Sequence, residues 1–94
     1  MKHAGAATLE RLSDLLAQLR QVPGLVERKP GIFYVKSKAA LHFHDDPTGV
    51  YADLRLGTAD FQRMAVHSLH DEQRLLALVR AGLPARPGET LRPP

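Results

Sequence analysis

The sequence predicts an α+β fold in two layers, α-β(5)-α, with two helices packed on one face of a five-stranded antiparallel meander. Apolar residues recur at helical spacing in one segment near each end of the chain. The residues between these segments follow the two-residue period of strands. Each helix has one apolar stripe and the central strands have one apolar face. Two helices on the same side of one sheet would therefore bury all of this apolar surface together.

The first helix is predicted in TLERLSDLLAQLRQV. Its leucines recur at i, i+3, i+7 and i+10, which places them in one stripe of a helix. Thr8 suits the N-cap position, because its hydroxyl can accept a hydrogen bond from a free N–H of the first turn. Pro23 and Gly24 are expected to end the helix.

Five strands are predicted in the segments GLVERKP, IFYVK, AALHFH, VYADLRL and DFQRMAV. The third strand alternates, with Leu41 and Phe43 on one face and His42 and His44 on the other. DDPTG, which follows it, has the composition of a turn. The third and fourth strands should therefore form a hairpin.

The register of this hairpin follows from its apolar residues. Residues opposite each other on two strands share a face, so Phe43 should pair with either Ala52 or Val50. A slip of one residue would bury the polar side chains instead and is disfavoured. Both registers predict a shared polar face formed by His42, His44, Tyr51, Asp53 and Arg55.

The last helix is predicted to begin after Ser68, a good N-cap residue followed by the acidic residues Asp71 and Glu72. Residues 84–94 contain four prolines and no periodic apolar pattern, which is typical of a flexible tail. We therefore expect one domain over residues 1–83, followed by this tail.

The composition excludes several classes of site. The 94 residues contain no cysteine, which rules out disulfides, thiolate zinc sites and cysteine nucleophiles, and which suits a cytoplasmic protein. No apolar run approaches the ~20 residues that cross a bilayer, so no membrane association is predicted. The net charge of +3 is too small to indicate a partner by itself.

The stretch VPGLVERKPGIFYVKSKAALHFH, followed by YADLRL, resembles the uncharacterised bacterial luciferase-like domain family. It is more distantly similar to the MmcQ/YjbR family, which implies an α-β(5)-α fold with a frataxin-like layout. The resemblance covers about residues 9–80. It implies a fold and no activity, since one fold hosts many functions.

The polar face of the sheet is the candidate ligand-binding surface. Its candidate residues are Lys36, Lys38, His42, His44, Tyr51, Asp53 and Arg55. The mixture of charges with one aromatic ring suits a small anionic ligand, a protein or a nucleic acid. The first hypothesis is therefore a non-enzymatic protein, without a cofactor, that binds a ligand, a protein partner or a second copy of itself through this face.

A metal site is the second hypothesis. His42 and His44 lie on one face of a strand, about 7 Å apart along the chain, and Asp53 or Asp45 can join them. Such a set of nitrogen and oxygen donors suits zinc or another divalent transition metal, and a metal-dependent enzyme would use the same residues. His67 and His70 form a second pair near the last helix.

A weak nucleic-acid binder is the third hypothesis, because residues 28–38 hold four basic side chains and no acidic one. Enzymes with a serine nucleophile are not favoured, since neither Ser37 nor Ser68 lies in a nucleophile-elbow sequence. The glycines do not form a phosphate-binding pattern.

Overall fold

A computed structural model of the chain describes residues 2–57 and 60–82. The predicted tail at residues 84–94 and the predicted domain end at residue 83 lie outside the described residues. The elements in chain order are β1 (Lys2–His3), α1 (Ala6–Arg11), α2 (Ser13–Leu19), β2 (Leu25–Lys29), β3 (Ile32–Val35), β4 (Lys38–Asp46), β5 (Gly49–Leu54), β6 (Gln62–Ala65) and α3 (Leu69–Gly82).

The predicted fold class is confirmed. Strands β2 to β6 form an antiparallel meander in the order β2-β3-β4-β5-β6. One hydrophobic core joins leucines of α2, Leu75 and Val79 of α3, and Phe33, Phe43 and Leu54 of the sheet. The helices therefore pack on one face of the sheet, as the apolar stripes predict.

The N-terminal segment differs from its prediction. The helix begins at Ala6 with Gly5 as its N-cap, so the prediction of Thr8 as the N-cap is wrong. It divides at Leu12 into α1 and α2. The short strand β1, which was not predicted, pairs antiparallel with β4, with His3 opposite His44.

Of the two hairpin registers that the sequence predicts, the structure has the one in which Phe43 faces Ala52. Phe43 pairs with Ala52, and His42 therefore pairs with Asp53. Near the start of β4 a bulge interrupts the strict alternation, because Phe33 pairs with Leu41 while Tyr34 pairs with Ala39. Ala40 is consequently buried, although alternation alone places it on the polar face.

The prediction that α3 begins after Ser68, with Ser68 as its N-cap, is confirmed. The Ser68 hydroxyl accepts a hydrogen bond from the backbone N–H of Asp71 at 3.1 Å. The Asp71 carboxylate accepts one from the backbone N–H of His67 at 2.8 Å. These contacts satisfy free donors at the helix start, and they hold His67 beside the end of the sheet.

Candidate functional site

Four strands supply the polar face, the side of the sheet opposite the helices. Residues that pair directly across neighbouring strands share a face. The pairing of β4 and β5 with β1 and β6 therefore places together His3, His42, His44, Tyr51, Asp53 and Arg63. Among these, His44 and Asp53 are buried, with exposed fractions of 9% and 7%.

Asp53 is held by Arg63 through two hydrogen bonds. Arg63 Nε donates to Asp53 Oδ1 at 2.7 Å, and Arg63 Nη2 donates to Asp53 Oδ2 at 2.8 Å. These bonds hold the pKa of Asp53 below its usual value, because they stabilise the carboxylate and outweigh the opposing effect of burial. Asp53 is therefore a fixed anion under the histidines.

His44 lies between Asp53 and His42. Its Nε2 atom is 3.0 Å from Asp53 Oδ2 and 2.7 Å from His42 Nδ1. Because a carboxylate only accepts hydrogen bonds, the contact with Asp53 requires a proton on His44 Nε2. His42 Nδ1 then shares this proton as an acceptor.

The second nitrogen of His44 is buried. Among the described residues, Nδ1 of His44 has no hydrogen-bond partner. In the neutral imidazole with its proton on Nε2, Nδ1 carries a free lone pair. A buried acceptor without a donor lowers stability by about 1–3 kcal/mol. This atom therefore suits a ligand that binds its lone pair, such as a hydrogen-bond donor or a metal ion.

His3 completes a cluster of three imidazoles, called the histidine cluster below: His3, His42 and His44. One ring nitrogen of each lies within 4.8 Å of one ring nitrogen of each of the others. The ring centroid of His3 is 5.2 Å from that of His44 and 5.7 Å from that of His42. His3 is exposed, so the histidine cluster opens to solvent at β1.

His42 is partly buried at the side of this cluster. Burial lowers the pKa of His42 from its usual value of 6.5, and the neighbouring His44 lowers it further. In the neutral ring the lone pair lies on Nδ1, which faces the Nε2–H of His44, so a metal ion that binds Nδ1 would replace this contact.

Phe61 covers one side of the histidine cluster. Its ring centroid lies 5.0 Å from that of His42, and the guanidinium carbon of Arg55 lies 4.4 Å from the Phe61 ring centroid. Arg55 also donates a hydrogen bond to the backbone oxygen of Ala39 at 2.9 Å. Arg55 therefore joins the predicted face through Phe61, a residue that the sequence analysis did not select.

Tyr51 lies on the other side, beside His67. The two ring centroids are 5.2 Å apart, and the Tyr51 hydroxyl lies 2.8 Å from Thr48 Oγ1. Gly49 lies under the His67 ring, and a Cβ atom at this position would overlap it. His67 therefore adds a fourth imidazole to this face, while its predicted partner His70 is exposed on α3.

Lys36 and Lys38 do not join this cluster. Both are exposed at the turn between β3 and β4, where Lys36 has a positive φ of 59°. Lys38 precedes His42 by four residues of strand, a separation of about 13 Å. Arg28 from the basic stretch also lies at this end, since its guanidinium donates to the backbone oxygen of Lys36 at 3.5 Å.

Asp45 and Asp46 form hydrogen bonds that stabilise the fold, and they do not join the histidine cluster. Asp45 accepts hydrogen bonds from the Gly5 backbone N–H at 2.9 Å and the Thr8 hydroxyl at 2.7 Å, which tie α1 to β4. The same bonds lower the pKa of Asp45. Asp46 accepts a bond from the Thr48 hydroxyl at 2.7 Å and so stabilises the β4–β5 turn.

The structure brings together the predicted metal set of His42, His44 and Asp53. Both oxygens of Asp53 are bonded to Arg63, however, so Asp53 positions His44 while His3 contributes the third imidazole. Sequence reasoning missed His3 because two residues are too few to show a strand period. It missed Arg63 because β6 alternates weakly.

Comparison of the chain with protein-family models, curated proteins and solved structures finds no match. The resemblance to the luciferase-like domain and MmcQ/YjbR families stays a prediction. None of the helices in residues 2–57 and 60–82 is long and apolar enough to cross a membrane.

Proposed function

We propose that the chain is a non-enzymatic binding protein whose polar sheet face takes a small ligand at the histidine cluster. The observation that supports this proposal best is the burial of His44 and Asp53 on the face opposite the helices. Ionisable groups lose hydration when they are buried, and the hydrophobic core on the other face does not need them. Such groups concentrate at functional sites for this reason.

The arrangement is also preorganised. Arg63 fixes Asp53, and Asp53 in turn orients the His44 ring. A binding site supported in this way loses little entropy when its ligand arrives. The face therefore combines a buried carboxylate, Asp53, whose position is fixed, with solvent access at His3.

Hydroxyl groups near this face have other partners, which favours binding over nucleophilic catalysis. Thr48 Oγ1 contacts Asp46 and Tyr51, and Ser68 caps α3. Lys36 and Lys38 lie at the other end of β4, so they do not extend the site toward a nucleic acid.

Chemical-shift mapping by NMR tests this proposal. Zinc ion, inorganic phosphate, citrate and adenosine monophosphate would each be added to the ¹⁵N-labelled chain. We expect at least one of them to shift the backbone amides of residues 42–44 and 51–53 and to leave those of residues 75–79 in place. A His42→Ala substitution should abolish the shifts, and His70→Ala should preserve them.

Two results would overturn the proposal. One is the absence of shifts on the polar face with every probe. The other is binding that maps instead to the groove between β6 and α3, which is lined by Gln62, Arg74 and Leu78.

A further inference from the structure

We infer that the ligand of the polar face is a divalent transition-metal ion, with zinc preferred, held by His3, His42 and His44. This inference rests on the proposed function, because it names the ligand class of the same face. Three imidazoles are a donor set found at zinc sites that keep one position open for water or another ligand.

The distances between the donor atoms fit this assignment. Nitrogens bound to one tetrahedral zinc at ~2.0–2.1 Å lie ~3.4 Å apart. One ring nitrogen of each member of the histidine cluster lies within 4.8 Å of one ring nitrogen of each of the others. His3 is exposed, and exposed side chains change rotamer readily, so its ring is free to move toward an ion held by the other two rings.

His44 gives an independent indication. Within the described residues its buried Nδ1 atom has no hydrogen-bond partner, while its Nε2 atom is bonded to Asp53. A carboxylate bonded to one nitrogen of a histidine commonly orients the other nitrogen toward a metal and raises its basicity. Arg63 extends this support, because it fixes both oxygens of Asp53.

The chemistry of the donors selects the class of metal. Imidazole nitrogens suit zinc, copper, nickel and iron, whereas magnesium and calcium prefer oxygen donors. The chain has no cysteine, so a thiolate does not compete for the metal. Arg63 neutralises Asp53, which also makes this site unsuited to a hard cation that needs several carboxylates.

Zinc titration of the untagged, metal-free chain tests the inference. Calorimetry should show one equivalent of zinc bound with a dissociation constant of 10 µM or tighter, and no binding of magnesium. The cobalt-loaded chain should show the intense visible absorption of a four-coordinate ion. His3→Ala should weaken zinc binding at least tenfold, and His70→Ala should leave it unchanged.

His3 is the critical position for this test because it is exposed, so its replacement should leave the fold intact. Unfolding by urea would confirm that His3→Ala and His70→Ala have equal stability without metal. Less than a tenth of an equivalent of zinc, or equal zinc affinity in the two variants, would overturn the inference. If phosphate, citrate or the nucleotide still shifts residues 42–44, only the metal assignment fails; if no probe does, the proposed function fails too.

Discussion

Adjacent residues of β4 and β5 form two buried regions on opposite faces of the sheet. Phe43 and Ala52, paired on the helix face, have exposed fractions of 1% and 0%. The next residues along each strand, His44 and Asp53, have exposed fractions of 9% and 7% on the polar face. Burial stabilises the first pair by removing apolar surface from water. Burial of the second pair removes hydration from ionisable groups, so only the first region is explained by folding.

The two regions also differ in how they are held together. The helix face depends on packing among many apolar side chains, whereas the polar face depends on a short chain of directional bonds from Arg63 through Asp53 to His44. Packing tolerates changes that keep volume, while a directional bond is lost when one partner changes. Substitutions on the two faces should therefore have different signatures.

The largest effect is expected on the helix face. Phe43→Ala should lower the free energy of unfolding by about 3–5 kcal/mol, because it leaves a cavity in the core. Urea denaturation measures this loss. Phe61→Ala is the matched control on the polar face, and its loss should be smaller because Phe61 is 37% exposed. Equal losses in the two variants would contradict the distinction between the faces.

A smaller effect is expected from Asp53→Asn. This change keeps the shape of the side chain but replaces one carboxylate oxygen by an amide NH₂ group, which donates and does not accept. Either His44 or Arg63 therefore loses a hydrogen-bond acceptor. The free energy of unfolding should fall by about 1–3 kcal/mol. The exposed Asp60→Asn variant is the control, and its change should stay within about 0.5 kcal/mol.

The double variant H44L/D53L sharpens this comparison. It replaces both buried polar partners by apolar side chains, which is often neutral or stabilising. We expect it to lose less stability than Asp53→Asn while abolishing ligand binding on the polar face. A larger loss than in Asp53→Asn would show that the polar cluster supports the fold.

The smallest effect is expected in the pH dependence of stability. Burial lowers the pKa of His42 below its usual value of 6.5, so in the pH range between the lowered value and 6.5 the unfolded chain binds more protons than the folded chain. Stability should therefore be fully present above pH 6.5 and decrease as the pH falls through this range. Urea denaturation of the metal-free chain at several pH values measures the slope.

His42→Gln should flatten this slope, whereas His70→Gln should leave it unchanged. Asp53 contributes separately at lower pH, because its lowered pKa gives stability that is present above the usual carboxyl pKa of 3.8 and lost as the pH falls through the lowered value. A slope near pH 6 that survives His42→Gln would contradict the assignment to His42.

The sequence by itself determined the features that depend on local patterns. Leucine spacing located α2 and α3, and the alternation around Phe43 placed His42, His44 and Asp53 on one face, because a strand has a strict period of two. The rule that paired residues share a face also limited the partner of Phe43 to Ala52 or Val50. These inferences needed only neighbours along one strand or across one short turn.

Only the tertiary structure decided which distant residues complete the polar face. His3 reaches His44 through a two-residue strand, Arg63 reaches Asp53 through β6, and Phe61 covers His42. These contacts depend on how separate segments close around β4 and β5, and the short segments that supply them have too few residues to show a period. The bulge near Ala40 is likewise a result of pairing with β3.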